Sequence, residues 1–388
     1  MAATDLVRAV LNAWCSLQRQ LIGRHGTGSR TAQVAGLLGG ALAGGAAAAP
    51  NLPEDRADLM FHLYDADGLR ASGPALLVRK KLADTVSLSA SYYIDMVSNA
   101  SIDVVTTASP YKETRKEYNL GLDYVVRDSS ITVSTSNSKE PDYIANGTSI
   151  DVSQEVFGGM TSLSLGYTRA HDKVGRNGYE GFFDTATHWR YRLGVTQILS
   201  PSWLTSANFE AVSDDGYLGS PYRVARVFGA AIPERNPRTR SSRAIKLRSL
   251  GEVVPGHAVR VEYRYFWDTW DIKAHTAELG YVRQFSDLWL LDWYARYYKQ
   301  QHALFYSDNA SSETTYISRN RQLSTFKSTA LGAKMAYTAK HVPGVYEIKL
   351  NAAYEFIRTR YSDFTDIRNG KPYELDAHVL QLFVSATF

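Results

Sequence analysis

The sequence predicts an all-β fold, an antiparallel transmembrane β-barrel of about 16 strands behind a cleaved N-terminal signal. Three observations predict it. The chain ends on a period-two strand, with Leu380, Leu382, Val384, Ala386 and Phe388 on one parity and Gln381, Ser385 and Thr387 on the other; Val379 and Phe383 break the pattern. Its length is close to the ~9–11 residues that a tilted strand needs to cross a bilayer. After residue 50 no apolar run is long enough for a spanning helix. Yet the chain carries 25 Tyr, 14 Phe and 7 Trp beside 21% charged residues. That combination arises when lipid-facing residues alternate with polar lumen residues and aromatics gather in two girdles.

The amino-terminal segment predicts export. Residues 34–49 are uncharged, small and apolar, and end in alanines that fit an A-x-A cleavage site ahead of Pro50. Arg19, Arg24 and Arg30 precede this run, and Asp5 is the only acid before residue 50. The run is short and Gly/Ala-rich for a membrane anchor. Residues 1–49 therefore read as a signal peptide with a long basic leader, 50–57 as a short periplasmic lead-in and 58–388 as the barrel. A cut after Ala48 fits as well, since Pro50 makes an awkward first residue. Cleavage removes four basic residues and one acid from a chain of formal charge +4, which leaves about +1. No nucleic-acid partner follows from so even a balance. The single Cys15 lies in the leader without a lipoprotein-type context, so the mature chain has neither disulfides nor thiolate metal sites.

Alternation recurs along the chain. Val86, Leu88, Ala90, Tyr92, Ile94 and Met96 share one parity against Ser87, Ser89, Ser91, Tyr93 and Asp95. The same period runs through 118–127, 259–268, 289–298 and 346–357, with charges on the polar parity. A helix would scatter these residues around its circumference. Tight turns are legible at 83–84, 127–130, 158–159, 200–202, 254–257, 286–287 and 341–344. Between them run polar links at 98–115, 138–147, 170–187, 212–241, 299–323 and 358–375, with a brief one near 268–271. Short turns on one rim and long loops on the other is the outer-membrane pattern. Fifteen strands follow residue 74; Leu59, Phe61 and Leu63, alternating with Met60, His62 and Tyr64, supply the one that makes the total even. Counts of 14 or 18 fit the same spacing. The soluble alternatives are a β-sandwich pair or a propeller, and no fixed-period repeat supports a propeller.

Two resemblances add to this reading. A chain that stops on an aromatic such as Phe388 resembles proteins carrying the terminal signal read by the barrel-assembly machinery. The runs Gly73-Pro74-Ala75-Leu76-Leu77-Val78-Arg79-Lys80-Lys81, Ser91-Tyr92-Tyr93-Ile94-Asp95-Met96-Val97-Ser98 and Ser101-Ile102-Asp103-Val104-Val105-Thr106-Thr107-Ala108-Ser109-Pro110-Tyr111 resemble the opening of the DUF3570 family of predicted outer-membrane barrels. Further matching text lies at Val174-Gly175-Arg176-Asn177-Gly178, Asp215-Gly216-Tyr217-Leu218, Pro221-Tyr222-Arg223, Pro237-Arg238-Thr239-Arg240 and from Tyr263 to Glu278. The resemblance covers about 58–388 and implies a bacterial outer-membrane location; the family's activity is not established. It implies at most a periplasmic electron-transfer context, with an exported redox protein as partner.

Barrel strands need only alternation, whereas distinctive text occupies the segments 98–111, 171–178, 214–223 and 233–240. Loops carry function more often than scaffolds do, although loops that fold inward to brace the wall are equally consistent. Arg223, Arg226, Arg235, Arg238, Arg240 and Arg243 cluster in and after the longest loop. Inside the lumen they would line an anion path; outside they would meet lipopolysaccharide phosphates; otherwise they pair with Asp214, Asp215 and Glu234. Candidate lumen residues are Asp95, Asp123, Arg260, Glu262, Arg264, Asp292, Arg296 and Glu355, joined on the same parity by Arg79, Lys81, Glu278, Glu347 and Lys349. Mixed charges of this kind form either a weakly selective pore or a network that plugs it. No cofactor or metal site is predicted. A hydrolase would need a nucleophile beside His171-Asp172 or beside Asp268, Asp271 and His275, and neither set has a serine at matched depth. Two functions stay open: a passive, porin-like channel for a small solute, and a non-conducting barrel that presents its loops to a partner or houses an exported redox protein.

Overall fold

The computed structural model describes residues 52–99 and 111–388. The predicted signal peptide and the segment 100–110 lie outside the described residues. The strands are β1 (Arg56–Ala66), β2 (Leu69–Ala83), β3 (Val86–Asn99), β4 (Tyr111–Val126), β5 (Ser129–Lys139), β6 (Tyr143–Val156), β7 (Thr161–Gly175), β8 (Phe183–Ser200) and β9 (Trp203–Gly216). They continue as β10 (Val224–Val227), β11 (Ala230–Pro233), β12 (Thr239–Val254), β13 (His257–Asp268), β14 (Lys273–Gln284), β15 (Trp289–Gln300), β16 (Phe326–Val342), β17 (Tyr346–Asp366) and β18 (Lys371–Thr387). Sixteen of them close into one antiparallel barrel, while β10 and β11 form a separate hairpin. Among the described residues the only helix is a single 3-10 turn, Arg321–Leu323.

Closure is made by β18 against β1, in unbroken register from Arg56 opposite Thr387 to Ala66 opposite Ala377. The even residues of β18 point outward, Leu382 and Val384 among them. The two residues that broke the alternation face inward. Val379 joins a buried cluster with Tyr64 and Tyr373, and the Phe383 ring receives Lys334 Nζ at 5.1 Å. Phe388 donates its backbone N–H to the Asp55 carbonyl at 3.0 Å. Asp55 also accepts from Lys80 Nζ at 2.6 Å and from the Lys81 N–H at 2.5 Å. The wall thus begins at Arg56 rather than Asp58, with the end of the lead-in tied to both neighbours.

All seven expected tight turns fall on one rim, between strands. Left-handed backbone at Arg127, Phe157, Gly158, Gly159, Gly256 and Gly344 makes several of them. The opposite rim differs from expectation in length. The links predicted at 138–147, 170–187 and 358–375 shrink to 140–142, 176–182 and 367–370. The strands continue past the bilayer: β17 has 21 residues, about twice what a crossing needs. A two-residue turn at 67–68, helped by Gly68, was not legible beforehand.

Outward positions match what a lipid-facing wall requires. On β14 to β16 Leu279, Ala295 and Leu331 stand at one height, and both leucines are exposed. The rings of Trp289 and Tyr337 pack at a tilt, 4.5 Å between centroids, towards the short-turn rim. From Trp289 to Lys299, about ten residues of tilted strand cover ~25 Å, the height of an apolar band. Leu279→Arg places a charge near mid-band and should destabilise the barrel by about 2–4 kcal/mol. Urea titration of protein refolded in lipid bilayers measures it. A shift below ~1 kcal/mol would contradict the assigned depth.

Candidate lumen and its mouth

The inward parity carries the charges, and neighbouring strands pair them. Arg260, buried on β13, reaches Glu278 on β14 and Asp292 on β15, both at 3.3 Å. Arg296 continues the chain to Glu278 at 3.9 Å and to Glu355 on β17. Glu262 pairs with Lys246 at 2.8 Å, and Arg264 with Glu210 at 3.7 Å. Asp123 faces Arg79 at 3.7 Å and accepts from Thr132 at 2.7 Å. Gly280 leaves room for this packing, because a Cβ there would lie 2.7 Å from Arg260 Nη2. Each of the eight candidate lumen residues, Asp95 included, therefore sits inside and has an ionic partner. Lys81, on the same parity, lies exposed at the rim, and Glu347 pairs with Lys349 at 2.6 Å.

A denser network joins β1, β3 and β4. Asp95, with 1% of its surface exposed, accepts from His62 Nε2 at 2.7 Å and from Tyr93 at 3.0 Å. The Tyr93 ring stacks on His62 at 4.7 Å. Arg115 approaches Asp95 at 3.8 Å, binds Ser138 Oγ at 2.9 Å and pairs with Glu117. Gly73 stands opposite His62, and a Cβ on it would come within 2.0 Å of the Ile94 carbonyl oxygen. Distinctive sequence in Gly73-Pro74 and Tyr93-Ile94-Asp95 thus serves the wall itself, a role that alternation alone did not reveal.

The arc from β5 to β9 is lined differently. Its inward positions include Ser134, Ser136, Gly147, Ser149, Ser153, Ser162, Ser164, Gly166, Gly194, Ser206 and Asn208, beside the ion pairs Asp151–Arg192 at 2.7 Å and Arg190–Glu210 at 3.6 Å. Ser164 and Asn208 face inward and are nevertheless exposed. Space inside the barrel is therefore open around Ser164 and Asn208, whereas Asp95, Asp123 and Arg260 on the strands flanking this arc are buried.

Two long loops meet over the mouth. Segment 301–325 is held to the wall where Gln300 Nε2 donates to the Gln322 and Ser324 carbonyls at 2.9 and 2.8 Å. Tyr306 donates to the Asp363 carbonyl at 2.8 Å, and burial, then Asp363 and Asp308, push its phenol well above the ordinary value, so it stays a donor. Arg319 lies over Phe364 at 4.3 Å and donates to the Thr365 carbonyl at 2.6 Å. Segment 217–238, which carries the β10–β11 hairpin, joins it by paired backbone hydrogen bonds. Phe228 donates to Ala310 at 3.0 Å, Ala310 to Arg226 at 2.9 Å, and Arg235 and Ile317 bond each other at 2.9 Å. Glu234 accepts from Ser318 Oγ and the Arg319 N–H at 3.0 and 2.8 Å. Beyond the hairpin, Tyr222 binds Asp142 in the β5–β6 link and accepts from the Asn177 N–H at 2.6 Å. The β5–β6 link lies half the ring away from β15 and β16, so the two loops form a strap across the opening. Carboxylate oxygens of Glu113, Glu140 and Asp142 lie within 4.8 Å of one another where the strap lands.

The loop arginines divide accordingly. Arg238 makes two bonds to Asp184 at 2.8 Å. Arg235 meets Glu313 at 2.7 Å, and Arg240 binds Asp268 at 2.8 Å while covering Trp270 at 4.5 Å. These three brace the rim. Arg223 and Arg226 meet no carboxylate among the described residues, and Arg243 points outward. One of the three readings paired the cluster with Asp214, Asp215 and Glu234; the partners of Arg235, Arg238 and Arg240 are Glu313, Asp184 and Asp268, and Asp214 instead holds His188 at 2.7 Å. His171 and Asp172, adjacent in sequence, face opposite sides of β7: His171 meets Thr187 at 3.2 Å, and Asp172 is buried. His275 bonds Tyr263 at 2.7 Å on the outer face, away from Asp268.

These features define the class, an outer-membrane-type β-barrel with a charged, asymmetric lumen and a strapped mouth. The chain belongs to the family described as "Protein of unknown function (DUF3570)", whose model matches residues 29–181 and 183–356. The match ends before β18. Among solved structures, a bacterial polysaccharide outer membrane secretin is 9% identical with a TM-score of 0.49, over 85% of this chain and 97% of that one. OmpT, an outer membrane protein of Vibrio cholerae, is 8% identical with a TM-score of 0.45, over 87% and 97%. The siderophore receptor PirA from Pseudomonas aeruginosa is 9% identical with a TM-score of 0.43, over 87% and 81%. The comparison with curated proteins gave no match.

Proposed function

We propose that this barrel resides in the bacterial outer membrane and works as a passive conduit for a small polar solute. The observation that carries the reading is the exposure of Ser164 and Asn208 on the inner face. Barrels of ~16 strands commonly leave an aqueous channel. Here the inward charges are folded into ion pairs, on β6 to β9 as on β13 to β17, and the open space follows the hydroxyl-rich positions around Ser164 and Asn208. Paired charges present a weak net field, so the conduit discriminates little between anions and cations. The anion preference first suggested by Arg223, Arg226 and Arg238 is correspondingly reduced, since Asp184 neutralises Arg238.

The test is conductance of the purified protein in a planar bilayer. Discrete openings with slight ion preference are expected. Tryptophans in place of Ser164 and Asn208 should lower the conductance several-fold while the folded band on an unheated gel persists. The strap favours a second reading, a closed barrel that offers its loops to a partner such as an exported redox protein. Correctly folded protein that never conducts would reject the conduit and leave that reading.

A further inference from the structure

The outer face carries like charges directly opposite one another. Lys299 on β15 stands opposite Lys327 on β16, and Lys327 stands opposite Arg360 on β17. Half the ring away, Lys116 on β4 faces Lys139 on β5, and Lys173 shares their height across Ile144. Directly opposed side chains lie within ~5.5 Å, and like charges there destabilise a sheet. The four opposed lysines are exposed and meet no carboxylate among the described residues. Arg360 is partly relieved by Glu374 at 3.3 Å. The neighbouring Arg358 is fully paired with Asp376, at 2.8 and 2.6 Å, so the strand ends are able to pair cations where pairing is used.

Height explains the unpaired ones. Each opposed pair stands one outward step beyond an exposed tyrosine, Tyr297 before Lys299 and Tyr118 after Lys116. Outward tyrosines mark the boundary between hydrocarbon and headgroup. The lysines then sit at the level of lipid phosphates, on the long-loop side of the band. We propose that the Lys299–Lys327–Arg360 patch, with Lys116–Lys139 as its counterpart, binds the phosphates of anionic lipid headgroups in that leaflet. With the outer-membrane location proposed above, on which the lipid's identity rests, these are the phosphates of lipopolysaccharide lipid A. Two phosphates on one headgroup can bridge two facing lysines and remove their repulsion.

Native mass spectrometry of the barrel in neutral detergent tests this with bisphosphorylated lipid A, its dephosphorylated form, phosphatidylcholine and inorganic phosphate. Wild type should retain bisphosphorylated lipid A over the two uncharged or zwitterionic lipids, and millimolar inorganic phosphate should not displace it. Lys299→Gln with Lys327→Gln should weaken retention about 30-fold. Lys299→Arg with Lys327→Arg should keep it. Equal retention by wild type and the Gln variant overturns the proposal, as does displacement by inorganic phosphate or a lack of preference for the phosphorylated lipid. Membrane fractionation of producing cells is the separate check on location. Inner-membrane protein that still retains lipid A in detergent would reject the location while leaving the patch intact.

Discussion

Asp95→Ala is expected to cost the barrel about 3–5 kcal/mol, the range found when one partner of a buried ion pair is removed. The magnitude follows from burial. Asp95 is almost fully enclosed, and it gathers His62, Tyr93 and Arg115 from three strands. Without it, Arg115 keeps Glu117 and Ser138 but loses a carboxylate across the wall, and His62 and Tyr93 lose their common acceptor. Asp95→Asn retains the shape and part of the hydrogen bonding, so it should cost less than alanine and more than nothing. Equilibrium urea titration of protein refolded in bilayers separates the two. The decisive outcome against this account is an alanine variant within ~1 kcal/mol of wild type, which would mean that the cluster is solvated and its members independent. Asp376→Ala is the contrasting control. Its pair with Arg358 is roughly half exposed at the strand ends, and an exposed ion pair contributes about 0–1 kcal/mol.

Outward and inward faces were legible in the sequence because a barrel wall imposes a period of two on every strand. The parity of Val86 to Met96 and of Leu380 to Ala386 needed no partner to be read. The glycines at 158, 159, 256 and 344 marked turns because their backbone is left-handed. Parity also placed Asp95, Arg260 and Glu355 inside. It did not say whom they meet, since a partner depends on register between strands. His62 and Asp95 are 33 residues apart, on strands separated by β2. Gly73 looked like family text and proved to be a steric requirement beside Ile94. Loop paths were least legible. Nothing local to Arg238 indicates Asp184, 54 residues away, and nothing in 301–325 indicates the hairpin it joins.

Deleting the β10–β11 hairpin, residues 224–233, and closing the gap with a short glycine linker should raise single-channel conductance several-fold. The hairpin is the middle of the strap: its backbone holds Ala310, and the residues that follow hold Ile317, Ser318 and Arg319. Single substitutions should do little, because each bond contributes only about 1 kcal/mol net and its neighbours keep the loops together. The deletion removes several at once without touching a barrel strand, so the sixteen-stranded ladder and its heat-resistant folded band should survive. Conductance is the informative readout because the strap runs from the wall at β15 and β16 to Asp142 on the opposite side. A strap that narrows the mouth limits current in series with the lumen, and removing it exposes the resistance of the hydroxyl-lined arc. Unchanged conductance would mean that the loops arch above the opening without obstructing it. If intact and deleted proteins both stay silent, the obstruction lies deeper, at the ion-paired arc, and the barrel acts by what its loops bind rather than by what it passes.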